Sequence, residues 1–282
     1  MSTPLSITII TPNLNGGKHL KACIESVKSQ SYESITHVVI DGGSSDDSIQ
    51  ILKDSNTQYE VVKGLNNYEA IHYGFKKYSS DVQAWLNSDD VYHQGAIQTV
   101  MEVFTLFSDI SWVTGTPSTS NEHGVIRVWE SSPYPVISKY TSCLSSKIFI
   151  QQESTFWRSA LYEKVGGVSN EYRYANDYAL WLRFFEHQKL YAIPQVLASF
   201  RMHSLNQLSV QHRDEYLIEV IHMLAEKNKL IVFYYKVLMA IDFVLIRTPI
   251  IRKFYSWLRI RQHYLGFSPR LYFDSNNQLV IE

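Results

Sequence analysis

Short runs of apolar and β-branched residues alternate with segments of helical spacing in the N-terminal part of the chain. The runs predict buried strands at residues 6–11, 35–40, 59–63 and 82–86. Between them, apolar residues recur at three- and four-residue intervals, which is typical of amphipathic helices. Strands that alternate with helices of about ten residues indicate βαβ units. The pattern therefore predicts an α/β fold with a mostly parallel sheet flanked by helices.

The pattern changes in the C-terminal half. Residues 110–116 and 124–130 predict two more strands, added at the edge of the sheet. Residues 131–146 are rich in Ser, Pro and Tyr and predict a long loop. An aromatic amphipathic helix is predicted at residues 176–186, with Asp177 in its first turn.

From residue 211 the chain has a largely helical pattern, so we predict a main domain at 1–210 and a helical extension at 211–282. The extension contains LIVFYYKVLMAIDFVLI, followed by several Arg and Lys residues. This stretch fits a helix pair packed on the main domain or an interfacial helix whose cations meet anionic lipid. Lys236 and Asp242 interrupt it, which argues against a membrane-spanning helix.

The composition describes a globular protein of 282 residues, with 45% hydrophobic and 19% charged residues. Its net charge of -1 offers no electrostatic basis for binding nucleic acid. The two cysteines, Cys23 and Cys143, are too few for a disulfide framework and fit a reducing compartment. No basic region with a long apolar stretch is evident at the N-terminus. We predict a cytoplasmic protein, located at the inner face of the membrane if the extension binds lipid.

Polar residues follow three of the predicted strands. Asn13 follows the first, Asp41 follows the second, and AWLNSDDVY places Asp89 and Asp90 directly after the fourth. Ligands of open parallel sheets bind outside the carboxyl ends of the strands, so these residues are expected to meet at one edge. By themselves, the adjacent carboxylates fit either a solvated turn or a divalent cation shared with a phosphate.

With these segments in order, the chain resembles the inverting family 2 glycosyltransferases, which have the Rossmann-like GT-A fold. The matching segments lie within about residues 6–209 and are ITIITPNLNGGKHLKACIESVKSQSY, VVIDGGSSDDS, NNYEAIHYGF, AWLNSDD and NDYALWLRF. The resemblance implies a nucleotide-sugar donor, with UDP as the favoured nucleotide, and Mn²⁺ or Mg²⁺ as cofactor. The acceptor would be a hydroxyl of a glycan or lipid-linked glycan, as in the synthesis of bacterial surface polysaccharides.

The resemblance also implies residues for the nucleotide. Asp41 is expected to accept a hydrogen bond from a uracil-type N–H, and its charge would strengthen that bond. The segment Thr11-Pro12-Asn13 is expected to form another wall of the pocket. For Asp41 a local role remains an alternative, because aspartate often closes a loop as an Asx-turn.

AWLNSDD aligns with the family's Asp-x-Asp element but departs from it at the first position. Asn87 replaces the first acid, and Asp89 stands at the position of the metal ligand. Asn87 can hydrogen-bond a ribose but adds no charge. Asp89 and Asp90 are expected to face the cation, because Mn²⁺ and Mg²⁺ prefer oxygen ligands. Asn87, Ser88 and Asp90 are expected to contact the nucleotide sugar.

Asp177 matches the family's catalytic base, with Asn176 in place of the preceding acid. Inversion needs a carboxylate that takes the proton from the acceptor hydroxyl as the hydroxyl attacks the anomeric carbon. The alternative is an acidic residue that only interacts with the dipole of its helix.

Further positions come from the second half of the resemblance. Gln151 and Gln152 precede STFWR and match a Gln-rich turn near the acceptor, so Gln152 and Trp157 are expected on the acceptor side. FRMHSLNQLS resembles an Arg-x-His segment, so His203 is expected to bind the metal or the diphosphate, with Arg201 nearby. A lone histidine is also common as a structural residue.

Two alternatives to a glycosyltransferase remain at this point. A nucleotidyltransferase also has an α/β fold and uses carboxylates with a metal, but PNLNGGKHL is a poor match to its Gly-rich, basic loop. The second alternative is a non-catalytic nucleotide-sugar-binding module on a degenerate scaffold. The asparagines at positions 87 and 176 support it.

Overall fold

The computed structural model describes residues 4–128, 150–202, 211–227, 271–274 and 278–281. The strands of the described part are β1 (Ile7–Asn13), β2 (Ile35–Asp41), β3 (Gln58–Val61), β4 (Val82–Trp85), β5 (Val91–Tyr92), β6 (Trp112–Thr114), β7 (Ser118–Ser120), β8 (Ile126–Val128), β9 (Thr155–Arg158), β10 (Tyr191–Ala192), β11 (Ala198–Arg201), β12 (Leu271–Phe273) and β13 (Leu279–Ile281). The helices are α1 (Gly17–Lys28), α2 (Ser48–Ser55), α3 (Asn67–Lys77), α4 (Ala96–Leu106), α5 (Ser159–Lys164), α6 (Asn176–Phe185) and α7 (Arg213–Lys227). A 3-10 helix lies at Gln152–Ser154.

The central sheet has the strand order β10-β6-β9-β4-β1-β2-β3. Its neighbouring strands are parallel except where β9 pairs with β4 and β6. The predicted α/β fold with a mostly parallel sheet is therefore confirmed. The N-terminal strands β1 to β4 form within two residues of their predicted bounds.

Strand β1 continues through Pro12, where the sequence pattern predicted its end. The carbonyl of Ile10 accepts a hydrogen bond from the N–H of Leu86 at 3.0 Å, so the backbone of Ile10 faces β4. Pro12, two residues on, faces the same side, but β4 pairs with β1 only as far as Trp85. The N–H that proline lacks is therefore not needed, and β1 extends to Asn13 beside β2.

The two strands predicted at the sheet edge lie elsewhere. Strand β6 is inside the central sheet, between β10 and β9, and β8 belongs to a second sheet with the order β5-β11-β7-β8. The cause is β9, which the sequence pattern did not indicate. It pairs antiparallel with both β4 and β6 and so lies between them. The long loop predicted at 131–146 lies outside the described residues.

Successive residues of β1 pack into different apolar clusters. Ile7 and Ile9 lie in a cluster with α1 and α4, whereas Ile10 lies in a cluster with α3, α6 and α7. This alternation follows from the two-residue period of a strand. The sheet is therefore covered by helices on both faces, as a parallel sheet of apolar strands requires.

Helix α7 is part of the main core. Val220, Met223 and Leu224 are buried in the same cluster as residues of α3 and α6. The first helix of the predicted extension is therefore packed on the main domain, and the division at residue 210 stays a prediction. The apolar stretch at 230–246 lies outside the described residues. Its two interpretations, a packed helix pair and an interfacial membrane helix, both stay open. In the described part of the chain, no helix has the length and hydropathy needed to cross a bilayer.

Stacked tryptophans connect α6 to the end of β4. Trp85 and Trp181 lie with ring centroids 5.8 Å apart and planes at 10°. Trp157 meets Trp85 and Trp181 edge-on, at 5.4 and 5.7 Å. Trp181 is one helical turn after Asp177, and Trp85 is two residues before Asn87. This packing holds the start of α6 in a fixed relation to the turn after β4.

We expect Trp181→Ala to lower the free energy of unfolding by about 3–5 kcal/mol, because it leaves a cavity among buried rings. The measurement is urea unfolding followed by circular dichroism. The control is Leu106→Ala, at a side chain that is 57% exposed, with an expected change of about 0.5 kcal/mol or less. Equal effects of the two substitutions would contradict a supporting role for the ring stack.

Candidate active site

The loops after β1 and β2 are joined by the carboxylate of Asp41. Asp41 Oδ2 accepts hydrogen bonds from Asn13 Nδ2 at 2.7 Å and Ser44 Oγ at 2.6 Å. Its Oδ1 accepts from the backbone N–H groups of Gly43 at 2.9 Å and Ser44 at 2.7 Å. Asp41 is fully buried. The bonds to Gly43 and Ser44 form the Asx-type turn that is the alternative, structural role of Asp41. A contact of Asp41 with the base of the nucleotide stays a prediction.

Thr11 and Pro12 are buried residues of β1. Thr11 Oγ1 lies 2.9 Å from His37 Nε2 and 3.9 Å from Cys23 Sγ. Burial lowers the pKa of His37 to about 4, so its ring is neutral near neutral pH. Thr11 and Pro12 are both buried in β1, and their expected place in a pocket wall stays a prediction. Asn13, at the end of β1, does reach the neighbouring loops.

The loop after β1 also approaches the turn after β4. A Cβ placed on Gly16 would lie 2.3 Å from Asn13 Oδ1 and 2.7 Å from Ser88 Oγ, so the approach requires a glycine at this position. Asn13 Oδ1 is buried and accepts no hydrogen bond within the described residues. An unsatisfied buried acceptor costs about 1–3 kcal/mol. This oxygen is therefore available to a ligand N–H or hydroxyl.

The turn after β4 is fastened to the 3-10 helix. Asn87 Nδ2 donates to Gln152 Oε1 at 3.1 Å, and Gln152 Nε2 donates to the carbonyl of Trp85 at 2.6 Å. Gln152 therefore uses both ends of its amide on the turn that carries Asp89. Asp89 itself is partly exposed at the end of this turn.

Asp90 points into the protein. It is fully buried, and its Oδ1 accepts from the backbone N–H of Arg201 in β11 at 2.9 Å. Its Oδ2 accepts from Asn87 Nδ2 at 3.4 Å. Burial raises the pKa of Asp90 well above its usual range, and the charges of Asp89 and Glu153 act in the same direction. The expectation that Asp90 contacts the nucleotide sugar or the cation is corrected: Asp90 connects the turn to the second sheet.

The oxygen ligands at this turn fit a cation completed by a diphosphate. Asn87 Oδ1 is buried and lacks a hydrogen-bond partner in the described structure. Over the described ranges, no three His, Cys, Asp or Glu side chains form a cluster that could hold a metal by themselves. Mg²⁺ is usually held by one or two carboxylates together with substrate phosphates. Asp89 fits that role, whereas His203 lies outside the described residues.

Glu153 is a site residue that the sequence analysis missed. It is 3% exposed, and its Oε1 accepts from Gln151 Nε2 at 2.5 Å. Burial raises the pKa of Glu153 to about 8, and the charges of Asp89 and Asp177 contribute to the increase. Both carboxylates therefore lie near Glu153. The only sequence signal was an acid directly after the two glutamines, in a segment without a clear period.

Asp177 lies in the first turn of α6. Burial raises the pKa of its carboxyl to about 6, whereas hydrogen bonds from the backbone N–H of Tyr178 and from Tyr216 lower it. The bond from Tyr178 is 2.7 Å long and ends on Oδ1. A carboxyl with this pKa is mostly ionised at neutral pH and accepts a proton readily. The charges of both Asp89 and Asp177 thus act on the buried carboxyl of Glu153.

Asn176 has a structural role in the loop before α6. It is fully buried, and its Oδ1 accepts from Ser169 Oγ at 3.3 Å and from the backbone N–H of Tyr172 at 3.0 Å. Its Nδ2 donates to the carbonyl of Tyr172. An amide can both donate and accept here, which an ionised acid cannot do. Asn176 is therefore weak support for a degenerate, non-catalytic site.

Trp157 is a core residue. Its side chain is fully buried, and its Nε1 donates to Gln83 Oε1 at 3.2 Å. The ring packs against Phe75 and Tyr162 as well as the two stacked tryptophans. The expectation that Trp157 lies on the acceptor side is corrected, because β9 is inside the sheet and no face of the ring is open.

Comparisons with known proteins show which sequences and folds the chain is similar to. A family model described as glycosyl transferase family 2 matches residues 8–163. An uncharacterized glycosyltransferase of Rickettsia typhi is 25% identical over 218 residues, which are 72% of this chain and 68% of that protein. An uncharacterized glycosyltransferase of Mycobacterium tuberculosis is 26% identical over 188 residues, covering 65% of this chain and 70% of that protein.

Solved structures share the fold at low sequence identity. S. aureus TarS 1-349, determined with UDP-GlcNAc, aligns with a TM-score of 0.63 and 14% identity, covering 78% of this chain and 66% of TarS 1-349. The mannosyltransferase PcManGT of Pyrobaculum calidifontis, determined with GDP-Man and Mn²⁺, also gives 0.63, with 12% identity and coverage of 94% and 86%. The GT-A fold implied by the sequence is thus confirmed. Since the family model spans more than half of its length, the chain belongs to glycosyl transferase family 2 and is a glycosyltransferase.

Proposed function

We propose that the protein transfers a sugar from a UDP-sugar to a hydroxyl of a glycan or lipid-linked glycan, with inversion at the anomeric carbon. The observation that carries this proposal is the packing of the start of α6, which carries Asp177, against the end of β4, which leads to Asp89. Trp181 stacks on Trp85 with ring centroids 5.8 Å apart. One carboxylate suits a cation and the other suits a base. A retaining hydrolase would instead need a nucleophile and an acid across the bond.

The donor side is formed by the ends of β1, β2 and β4. Mn²⁺ or Mg²⁺, held by Asp89, would neutralise charge on the departing diphosphate. The open oxygens of Asn13 and Asn87 would accept hydrogen bonds from the nucleoside. Asp41 would hold the base, as the family resemblance implies, or would hold the loop that does. Ser88 faces the same loop across Gly16.

The acceptor side is formed by α6. Asp177 takes the proton from the acceptor hydroxyl as that oxygen attacks the anomeric carbon from the face opposite the diphosphate. The pKa of about 6 leaves Asp177 ionised at neutral pH yet more basic than an ordinary aspartate. Burial supplies this basicity, because it disfavours the charged form.

A donor screen tests the proposal. The protein is incubated with UDP-, GDP- and dTDP-sugars in Mn²⁺ or Mg²⁺, and the released nucleotide is identified by chromatography. UDP-GlcNAc and GDP-Man belong in the screen because structural neighbours were determined with them. We expect UDP from a UDP-sugar, and proton NMR should show an inverted anomeric configuration. Pyrophosphate release would indicate the nucleotidyltransferase, and donor binding without turnover would indicate the binding module.

Peripheral membrane contact through the C-terminal stretch is part of the same proposal. A lipid-linked acceptor would account for the apolar residues and cations after α7. Because α7 is in the main core, the test is truncation after Lys227 and not at residue 210. Loss of the protein from the membrane fraction on truncation is the expected result. An unchanged distribution would contradict the contact.

A further inference from the structure

Glu219 of α7 accepts three hydrogen bonds from consecutive backbone N–H groups. Its Oε1 accepts from Arg173 at 3.0 Å, and its Oε2 accepts from Tyr174 at 3.0 Å and Ala175 at 2.9 Å. These three residues directly precede α6, whose first turn carries Asp177. The carboxylate of one helix thus holds the backbone at the entrance of another.

Arg173 and Tyr174 precede the cap position of α6, which Ala175 occupies, and Ala175 has no side chain that could cap the helix. The chain at the start of α6 is held by Glu219, which accepts from the backbone N–H groups of these three residues. The position of Asp177 therefore depends on a residue that lies 42 positions later in the sequence.

Tyr216, one turn before Glu219 on α7, hydrogen-bonds Asp177 directly. In the described part of the chain, the charge of Asp177 also acts on Tyr68 of α3 and Glu153 of the 3-10 helix. The hydrogen bond of Tyr216 lowers the pKa of Asp177, whereas the charge of Glu219 raises it. Two residues of one helix thus act on this carboxylate in opposite electrostatic directions.

Tyr68 connects α3 to the same entrance. Its hydroxyl donates to the carbonyl of Tyr174 at 2.7 Å. The backbone of Tyr174 is therefore held on its N–H side by Glu219 and on its carbonyl side by Tyr68. These bonds restrict the backbone just before α6. A catalytic base needs such restriction, because it must stay within hydrogen-bond distance of the acceptor hydroxyl.

We propose that Glu219 and Tyr216 of α7 are positioning residues that hold Asp177 where it can take the proton of the acceptor. The inference rests on the proposed role of Asp177 as base. It assigns a function in the transfer reaction to α7, which lies beyond the last segment that resembles the family.

The first test needs no substrate. The protein is labelled with ¹³C at the aspartate carboxyl groups, and Asp177 is identified by the signal that Asp177→Asn removes. Its titration is then followed by NMR. We expect Tyr216→Phe to raise the pKa of Asp177 and Glu219→Gln to lower it, because the first removes a hydrogen bond and the second removes a negative charge. Asp214→Asn, an exposed change on the same helix, should leave the titration unchanged.

The second test measures turnover with the donor that the screen identifies. Glu219→Gln should lower kcat by about 10²-fold, the typical cost of a misplaced catalytic group, with little change in KM for the donor. Gln has one oxygen for three N–H groups, and its own amide N–H group repels them. Asp214→Asn should retain the wild-type kcat. For Tyr216→Phe, we expect the acidic limb of the pH–rate profile to move to higher pH.

The outcomes distinguish failure of the positioning role of α7 from failure of the proposed role of Asp177 as base. If Asp177→Asn is inactive but Glu219→Gln and Tyr216→Phe keep the wild-type kcat and titration, α7 has only a structural role and the inference is wrong. If Asp177→Asn is as active as wild type, the proposed base is wrong. Should Glu219→Gln fail to fold, Tyr216→Phe still decides, because it removes a single hydroxyl.

Discussion

Asp177→Asn should lower the rate of sugar transfer by about 10²–10⁴-fold, the usual contribution of a general base. The substitution keeps the size of the side chain and removes only its ability to take a proton. Binding of UDP with Mn²⁺ should be unchanged, because the donor side is built from β1, β2 and β4. The measurements are steady-state release of UDP and calorimetric binding of UDP to the same preparations.

The role of Asp177 as base also predicts how the transfer rate depends on pH. The pKa of Asp177 is raised to about 6, so transfer should decline as the pH falls through this value and the carboxylate becomes protonated. Glu171→Gln, an exposed change in the loop before α6, is the matched control and should keep both rate and profile. A rate for Asp177→Asn within a few-fold of the control would assign the base elsewhere.

Asp89→Asn should lower transfer by about 10²-fold or more, since metal stabilisation of the leaving diphosphate contributes several kcal/mol. The loss should persist at high Mn²⁺, because Asp89 is the partly exposed carboxylate of this turn whereas Asp90 is buried and bonded to β11. The partly exposed position of Asp89 predicts little change in the free energy of unfolding. The measurement is UDP release over a Mn²⁺ titration.

Asp90→Asn provides the contrast. Asp90 is buried and bonded to the backbone of β11, so its substitution should act on stability and not on the dependence on Mn²⁺. Asp54→Asn, on the exposed side of α2, should affect neither. If Asp90→Asn abolishes the response to Mn²⁺ while Asp89→Asn preserves it, the two acids have been assigned the wrong way round.

The sequence was sufficient where local rules decide the outcome. The alternation of strands with helices predicted β1 to β4, and the rule for parallel sheets predicted that Asn13, Asp41 and Asp89 follow strands on the same edge. The hydrogen bond from Asn13 to Asp41 and the approach of Ser88 to Gly16 agree with that expectation.

The sequence was not sufficient where distant segments decide. Strand β9 is defined by its antiparallel pairing with β4 and β6. It has only four residues, and these show no hydrophobic period that would predict a strand. Its position inside the sheet also buries Trp157. Asp90 turns inward to accept a hydrogen bond from the backbone N–H of Arg201 in β11, which the sequence around Asp90 does not indicate. Glu219 lies so far from α6 in the chain that no motif connects them.

The central claim is a site for a nucleoside diphosphate and a cation at the turn after β4. Its most direct test is calorimetric titration of UDP into the wild-type protein with and without Mn²⁺, repeated with Asp89→Asn. The account predicts that UDP binds in the presence of Mn²⁺ and that binding weakens when either the metal or the carboxylate is removed. Equal affinity under all three conditions, or no binding of UDP, GDP or dTDP by the wild type, would contradict it.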